Sequence, residues 1–164
     1  MWRKSIYLIS LVSMLSLAGS AAAQSGTGLR AEYYLWAGAS PPSRENAFRD
    51  LMATRIDPEV NVYWNPGVAS PPSPQWPPPP GLRSDYFAIR WTGELEALTT
   101  EAYTFITGSD DGVRMWLNGV LIIDNWTDHD RAENTSDPVN LVKGQRYPIV
   151  VEGYENGGEA EWQL

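Results

Sequence analysis

Short segments of alternating apolar and polar residues run through the chain from residue 29 onward. In AYTFIT, for example, Tyr103, Phe105 and Thr107 fall on one face and the intervening residues on the other, as the two-residue period of a strand requires. Strands are predicted at residues 29–35, 60–64, 86–91, 102–107, 113–117, 120–124, 145–154 and from 160 onward. These short strands predict an all-β fold, either a two-sheet antiparallel sandwich or a closed barrel.

Three local signals interrupt the strand pattern. Asn118 and Gly119 separate two apolar runs and predict a type I′ hairpin, because both residues tolerate positive φ. Residues 44–52 are the one segment that favours a short helix, with Ser43 as its N-cap. The proline-rich segment 71–81 cannot donate regular ladder hydrogen bonds, so we expect one long surface loop in which Trp76 covers apolar surface.

Residues 1–23 have the pattern of a secretory signal peptide. Arg3 and Lys4 precede an apolar run over residues 6–18, and small residues follow up to Ala23. The run is too short and too interrupted by serine for a membrane span, so we expect no membrane insertion. We therefore expect cleavage near Ala23 and a protein that is secreted, periplasmic or on the cell surface.

The remaining residues, 24–164, are predicted to form one domain, because this length suits a single substantial core. A strand pattern is still running at Leu164, so we expect a fragment of a longer protein, truncated at the C-terminal end of this domain. Adjacent domains of that longer polypeptide are then expected partners.

Charge and cysteine content narrow the possible partners. The formal charge is −8, and removal of residues 1–23 would take away two of the 12 basic residues and none of the 20 acidic ones, leaving −10. Such a surface repels phosphate backbones, which argues against nucleic acid and leaves divalent cations, neutral ligands and basic protein patches. The chain has no cysteine, so neither disulfides nor thiolate metal sites hold it together.

Adjacent aspartates, Asp110 and Asp111, lie between glycines in GSDDGVRMWLNG. Consecutive strand residues point to opposite faces, so the two carboxylates can share one ion only if the backbone changes locally, for example through a cis peptide. Gly112 would give the chain freedom to turn. Calcium, with six to eight oxygen ligands, suits such a pair best, and magnesium is the second choice. An ordinary solvated turn is the alternative interpretation of the same residues.

Four segments in this order resemble the protective-antigen-type (PA-fourteen) family of lectin-like domains. They are GLRAEYY at 28–34, FAIRWTGELEA at 87–97, AYTFITGSDDGVRMWLNGVLIIDNW at 102–126 and GQRYPIVVEGYENGGEAE at 144–161. The resemblance covers residues 28–164 and implies a Greek-key β-sandwich. In the sugar-binding branch of this family, an aspartate pair joined by a cis peptide binds calcium, and vicinal sugar hydroxyls complete the metal's shell.

The resemblance also implies which residues of this chain would form the site. Asp110 and Asp111 match the aspartate pair, and Asn156 matches an asparagine contributed by a later loop. Backbone carbonyls of Gly158 and Ala160 are further candidate ligands. Affinity for one sugar is expected near millimolar, about −4 kcal/mol, so that useful adhesion needs several copies.

Residues of two loops are the candidate sugar contacts. Trp126 and Tyr154 have aromatic rings that suit the C–H face of a pyranose, and Asp128 is a further candidate in the acidic loop DNWTDHD. That loop also contains His129, the single histidine, which permits a second metal site or acid–base chemistry, although a simple loop explains it as well. The remaining expectations are Trp91 and Trp116 in the core, and ion pairs for Arg90 and Arg114.

Three functions follow for comparison. The leading one is a secreted, calcium-dependent module that binds a glycan or polysaccharide. The alternative is a calcium-stabilised structural or interaction module beside a neighbouring domain. Hydrolysis is disfavoured, because glycosidase carboxylates lie roughly 5 to 9.5 Å apart across the scissile bond, whereas chain neighbours that hold one ion do not. The sequence thus predicts a protein that is not an enzyme.

Overall fold

The computed structural model describes residues 28–64 and 77–164, which form twelve strands and one short helix. The elements are β1 Leu29–Leu35, α1 Arg44–Ala47, β2 Asp50–Asp57, β3 Asn61–Trp64, β4 Phe87–Glu96, β5 Glu101–Tyr103, β6 Ile106–Asp110, β7 Val113–Leu117, β8 Val120–Asn125, β9 Ala132–Thr135, β10 Val139–Leu141, β11 Arg146–Glu155 and β12 Ala160–Gln163. The predicted signal peptide and most of the proline-rich loop, including Trp76, lie outside the described residues.

The strands form two main antiparallel sheets. One has six strands in the order β2-β1-β4-β11-β7-β8, and the other has four in the order β3-β12-β6-β9, while β10 and β5 form a separate pair. Inward-facing side chains of both main sheets form one core. Trp162 of the smaller sheet lies 6.1 Å from Trp91 and 5.8 Å from Phe87 of the larger one, between ring centroids. The all-β sandwich predicted from the sequence is confirmed.

A second, smaller cluster covers the outer face of the six-stranded sheet. Tyr34, Trp36, Ala47, Ala88 and Tyr154 are buried there, with Phe48 and Trp126 packed against them. The chain from residue 36 to residue 48, which includes α1, thus folds over this face.

Within the described residues, no helix is long and apolar enough to cross a membrane.

Several local predictions are confirmed. Asn118 and Gly119 both have positive φ, 50° and 78°, and join β7 to β8 as a tight hairpin. Ser43 caps α1 by accepting a hydrogen bond from the N–H of Asn46 at 3.3 Å. Trp91 is fully buried in the core, as expected.

Other local predictions are wrong. The helix predicted at 44–52 ends at Ala47, because the following residues pair along β1 as β2 and strand pairing overrides their helical pattern. The strand predicted at 102–107 is two strands, since Ala102 pairs with β10 and Ile106 with β9. Trp116 is not in the core: it is half-buried on the outer face, where the guanidinium of Arg44 lies 5.2 Å from its ring centroid.

Candidate functional site

Strand ends from both sheets meet at one end of the sandwich. Phe87, the first residue of β4, pairs with Glu155, the last residue of β11. In the other sheet, Asp110 at the end of β6 pairs with Glu161 of β12. The loops that follow β6, β8 and β11, and the loop that precedes β4, therefore lie side by side at this end.

Three acidic side chains converge there. Asp110 and Asp111 are joined by a cis peptide bond. One carboxylate oxygen from each of Asp110, Asp111 and Glu155 lies within 4.8 Å of the other two. Among the described residues, this is the only group of three acidic or histidine side chains with ligand atoms so close together. We call Asp110, Asp111 and Glu155 the acidic triad.

Glu155 is the most deeply buried member of the triad. Its side chain is 0 % exposed, and neither carboxylate oxygen accepts a well-formed hydrogen bond. Burial raises the pKa of Glu155 to about 9, and the charges of Asp111, Asp110 and Asp85 add to this, while the backbone N–H of Gly157 opposes it only weakly. A buried carboxylate without a hydrogen-bond partner or counter-charge is unfavourable unless a proton or a cation neutralises it.

The two aspartates share this environment to different degrees. Burial and the neighbouring Asp111 raise the pKa of Asp110 to about 6. The pKa of Asp111 is raised by burial as well, although two backbone hydrogen bonds oppose the rise. These bonds come from the N–H of His129 to Oδ1 at 2.9 Å and from the N–H of Asn156 to Oδ2 at 2.8 Å. Asp111 thus holds two loops in place and is oriented by them.

Gly112 permits close packing behind the triad. A Cβ at this position would lie 2.2 Å from Cε1 and 2.8 Å from Cδ1 of the Tyr154 ring. The φ of Gly112 is not positive, so the structural reason for glycine here is the close approach of the Tyr154 ring. The carbonyl of Gly112 accepts hydrogen bonds from the N–H of Tyr154 at 3.1 Å and from the indole of Trp162 at 3.3 Å.

Asp128 lies beside the triad and accepts three hydrogen bonds. The donors are the hydroxyl of Tyr154 at 2.7 Å, the hydroxyl of Ser40 at 2.5 Å and the side-chain nitrogen of Asn156 at 3.4 Å. Asn156 therefore adjoins the triad through its backbone and Asp128 through its side chain. Its role as a metal ligand stays a prediction, as do those of the Gly158 and Ala160 carbonyls.

The two aromatic candidates, Trp126 and Tyr154, differ in how far they are buried. Tyr154 is 0 % exposed, so its ring has no free face for a sugar, and it acts instead as a hydrogen-bond donor to Asp128. Trp126 is half-buried, packs on Tyr154 at 4.7 Å, and has the guanidinium of Arg114 over its ring at 4.8 Å. The buried ring of Tyr154 is closed to a sugar, whereas contact of Trp126 with a sugar stays a prediction.

His129 contributes its backbone rather than its ring. Its N–H bonds to Asp111, and its Nδ1 lies 2.8 Å from the carbonyl oxygen of Asp130. In the described part of the chain, no second group of three acidic or histidine ligands includes His129.

Comparison with known proteins places the chain in a family. The sequence model of the PA14 domain family matches residues 28–164. The chain belongs to the PA14 domain family. The anti-sigma-I factor RsgI3 of Acetivibrio thermocellus is 35% identical to this PA14 domain over 139 residues, which are 85% of this chain and 19% of that protein.

Solved structures share the fold. An anti-sigma factor domain-containing protein is 33% identical, with a TM-score of 0.65, over 82% of this chain and 41% of that one. A PA14 sugar-binding domain from an RTX adhesin is 18% identical, with a TM-score of 0.57, over 82% of this chain and 86% of that one. This PA14 domain therefore spans less than half the length of the two anti-sigma relatives.

Two acidic residues at the site were not found by sequence reasoning. Glu155 continues the inward row of Ile149, Val151 and Gly153 on β11, so an acid at the end of an apolar row was the available signal. Asp85 lies in the loop before β4 and accepts a hydrogen bond from the N–H of Gly158 at 3.4 Å. No local pattern marks Asp85, because its proximity depends on the β4–β11 register.

Proposed function

We propose that this PA14 domain is a calcium-dependent carbohydrate-binding module of an exported protein, without catalytic activity of its own. The observation that supports this most directly is the acidic triad, in which the buried carboxylate of Glu155 lacks both a counter-charge and a well-formed hydrogen bond. A divalent cation bound there would offset two of the three negative charges and give Glu155 a counter-charge.

Calcium suits the spacing of the triad. Its bonds to oxygen are about 2.3 to 2.6 Å long, so one ion can join oxygens up to about 5 Å apart, and the triad oxygens lie within 4.8 Å of one another. Asp110, Asp111 and Glu155 would hold the metal, with Asn156 as a further oxygen donor. Calcium would supply open coordination positions for neutral hydroxyl groups.

The sugar is the second part of the proposal. A pair of hydroxyls on adjacent sugar carbons can replace two calcium-bound waters, so that the spacing of the hydroxyls decides which sugar binds. The RTX adhesin domain, which has the same fold, is described as sugar-binding, and this supports a glycan ligand here. Affinity for a single sugar is expected near millimolar, about −4 kcal/mol.

Glycan-array binding and calcium titration by calorimetry together test this proposal. The purified protein should bind at least one glycan when calcium is present and none after chelation. Asp110→Asn should weaken calcium binding at least about tenfold, because it removes a charged ligand. The side chain of Asp110 makes no hydrogen bond to the described residues, so this change tests the metal without breaking the backbone hydrogen bonds to Asp111. Asp137→Asn, at an exposed site between β9 and β10, is the control.

A structural or interaction module is the second candidate function. The match to the anti-sigma-I factor RsgI3 favours it, because the matched region is only 19% of that protein. Such an arrangement is typical of a module within a longer protein. Calcium would then raise the melting temperature, yet no glycan would bind with calcium present. That pair of results would replace the sugar-binding proposal with this one.

A further inference from the structure

Tyr86 is the one aromatic residue that is exposed in the described part of the chain. Its side chain is 44% exposed, whereas the other aromatic side chains of residues 28–64 and 77–164 are half-buried or buried. An isolated exposed aromatic is ordinary on a protein surface. Its place in this fold and its backbone conformation make Tyr86 different.

The backbone holds Tyr86 in an unfavourable conformation. Its φ is 58°, in the left-handed region that non-glycine residues rarely adopt. The main chain is fixed there, since the carbonyl of Tyr86 accepts a hydrogen bond from the N–H of Trp36 at 3.0 Å. The ring packs perpendicular to that of Trp36 at 5.2 Å, and Trp36 is itself buried. Such local strain is found more often at binding sites than elsewhere.

The register of the sheet places Tyr86 beside the acidic triad. Phe87 pairs directly with Glu155, and Tyr86 is the next residue along the chain. Strand spacing then puts the Cα atoms of Tyr86 and Glu155 roughly 6 to 8 Å apart. The neighbouring Asp85 accepts a hydrogen bond from Gly158, so this loop lies against the loop that follows Glu155.

We infer that Tyr86 is a specificity-determining residue that packs against the apolar C–H face of a sugar whose hydroxyls bind the metal. This inference rests on the proposed function. Tyr154 cannot supply that face because it is fully buried, and Trp126 already has the guanidinium of Arg114 over its ring. Tyr86 offers an exposed ring that packs on Trp36, and its backbone directly precedes the residue that pairs with Glu155. The ligand class that fits is therefore a neutral pyranose with one apolar face and a pair of adjacent hydroxyls for the metal.

Calorimetry in calcium tests the inference with the methyl glycosides of glucose, galactose, mannose and N-acetylglucosamine as probes. For the best-bound probe, Tyr86→Ala should lower the association constant about 2- to 12-fold, the range expected for loss of one aromatic contact. Tyr86→Phe should bind like the unchanged protein. Leu121→Ala is the control, because Leu121 is 43% exposed on β8, away from the triad. Calcium affinity should be the same in all variants.

The outcomes separate this inference from the proposed function. If the unchanged protein binds no glycoside or array glycan, the proposed function fails and the inference fails with it. If a glycoside binds and Tyr86→Ala binds it equally well, the inference is overturned while the proposed function stands. Equal weakening by Tyr86→Ala and Tyr86→Phe would also overturn it, since the ring would not be the contact.

Discussion

Two glutamates on strand β11 are both fully buried, three residues apart, and they are neutralised in different ways. Glu152 faces the outer side of the six-stranded sheet and accepts hydrogen bonds from Arg44 and Arg90 at 2.6 to 3.1 Å. Glu155 faces the core, and the charged groups that act on it are the carboxylates of Asp111, Asp110 and Asp85. The protein thus supplies positive counter-charges to Glu152 but none to Glu155, although both are equally buried.

Strand register places Arg90 beside Glu152, and Arg44 reaches the same carboxylate from α1. Glu32, Arg90, Glu152, Arg114 and Asp124 lie opposite one another on five neighbouring strands, so that charge alternates across the sheet. Arg90 and Arg114 form ion pairs, as predicted. No arginine occupies the corresponding place at Glu155 among the described residues. We infer that the first glutamate is a structural group and the second a group for an external cation.

The largest effect is expected from Glu152→Gln. It removes the charge between two arginines and should lower the free energy of unfolding by about 3 kcal/mol, at the low end for a broken buried pair because Arg44 is 55% exposed. Urea denaturation should show the same loss with calcium and with chelator. A loss that occurs only with calcium would contradict the division between the two glutamates. Glu133→Gln, at an exposed position of β9, is the control.

Glu155→Gln should have the opposite sign in the absence of calcium. The folded pKa of about 9 exceeds the ordinary 4.5, so below pH 4.5 the group has no effect, and stability is lost as the pH rises toward 9. Between pH 7 and 9 the chelated protein should lose up to about 2 to 3 kcal/mol. This interval reports Glu155, because the pKa of Asp110 is only about 6.

Glu155→Gln should abolish that loss and should make the chelated protein more stable at pH 8. Calcium should stabilise the unchanged protein and have little effect on the variant. Urea denaturation at several pH values checks both expectations. A chelated protein whose stability is flat from pH 7 to 9 would show that Glu155 is not a buried, unpaired acid.

A smaller effect is expected from Gly112→Ala. The carbonyl of Gly112 accepts a hydrogen bond from Tyr154, which lies between Glu152 and Glu155 on β11. The added methyl would meet the ring of Tyr154 at 2.2 Å, so strand β7 or the ring must move. We expect a loss of about 1 to 3 kcal/mol, together with weaker calcium binding, since Asp111 is the preceding residue. Thermal denaturation and calcium titration check this. Gly119→Ala would meet no atom within 4 Å but has φ of +78°, so it should affect stability without affecting calcium.

The strand pattern predicted most of the fold because it depends on local alternation. It located the core strands, and the Asn118–Gly119 hairpin followed from two residues that tolerate positive φ. Strands β9 and β10, with sequences AENT and VNL, carry little alternation and exist through pairing with distant strands. The same is true of β2, where pairing with β1 overrode a helical pattern.

The aspartate pair could be recognised from two adjacent residues in the sequence, whereas Glu155 could be recognised as a site residue only from the fold. Its burial depends on its place at the end of β11 opposite Phe87, which is long-range information. Likewise, the sequence indicated that Trp126 and Tyr154 are near the site, but only packing shows that the Tyr154 ring is buried and that Arg114 lies over the ring of Trp126. Proximity to the site was therefore easier to predict than accessibility.

Calcium titration by calorimetry of the chelated and dialysed protein tests the central claim most directly. We expect one calcium ion per chain, with binding weakened at least about tenfold in Glu155→Gln and unchanged in Glu133→Gln. Absence of calcium binding by the unchanged protein, or equal binding by Glu155→Gln, would contradict the claim that the acidic triad is a cation site.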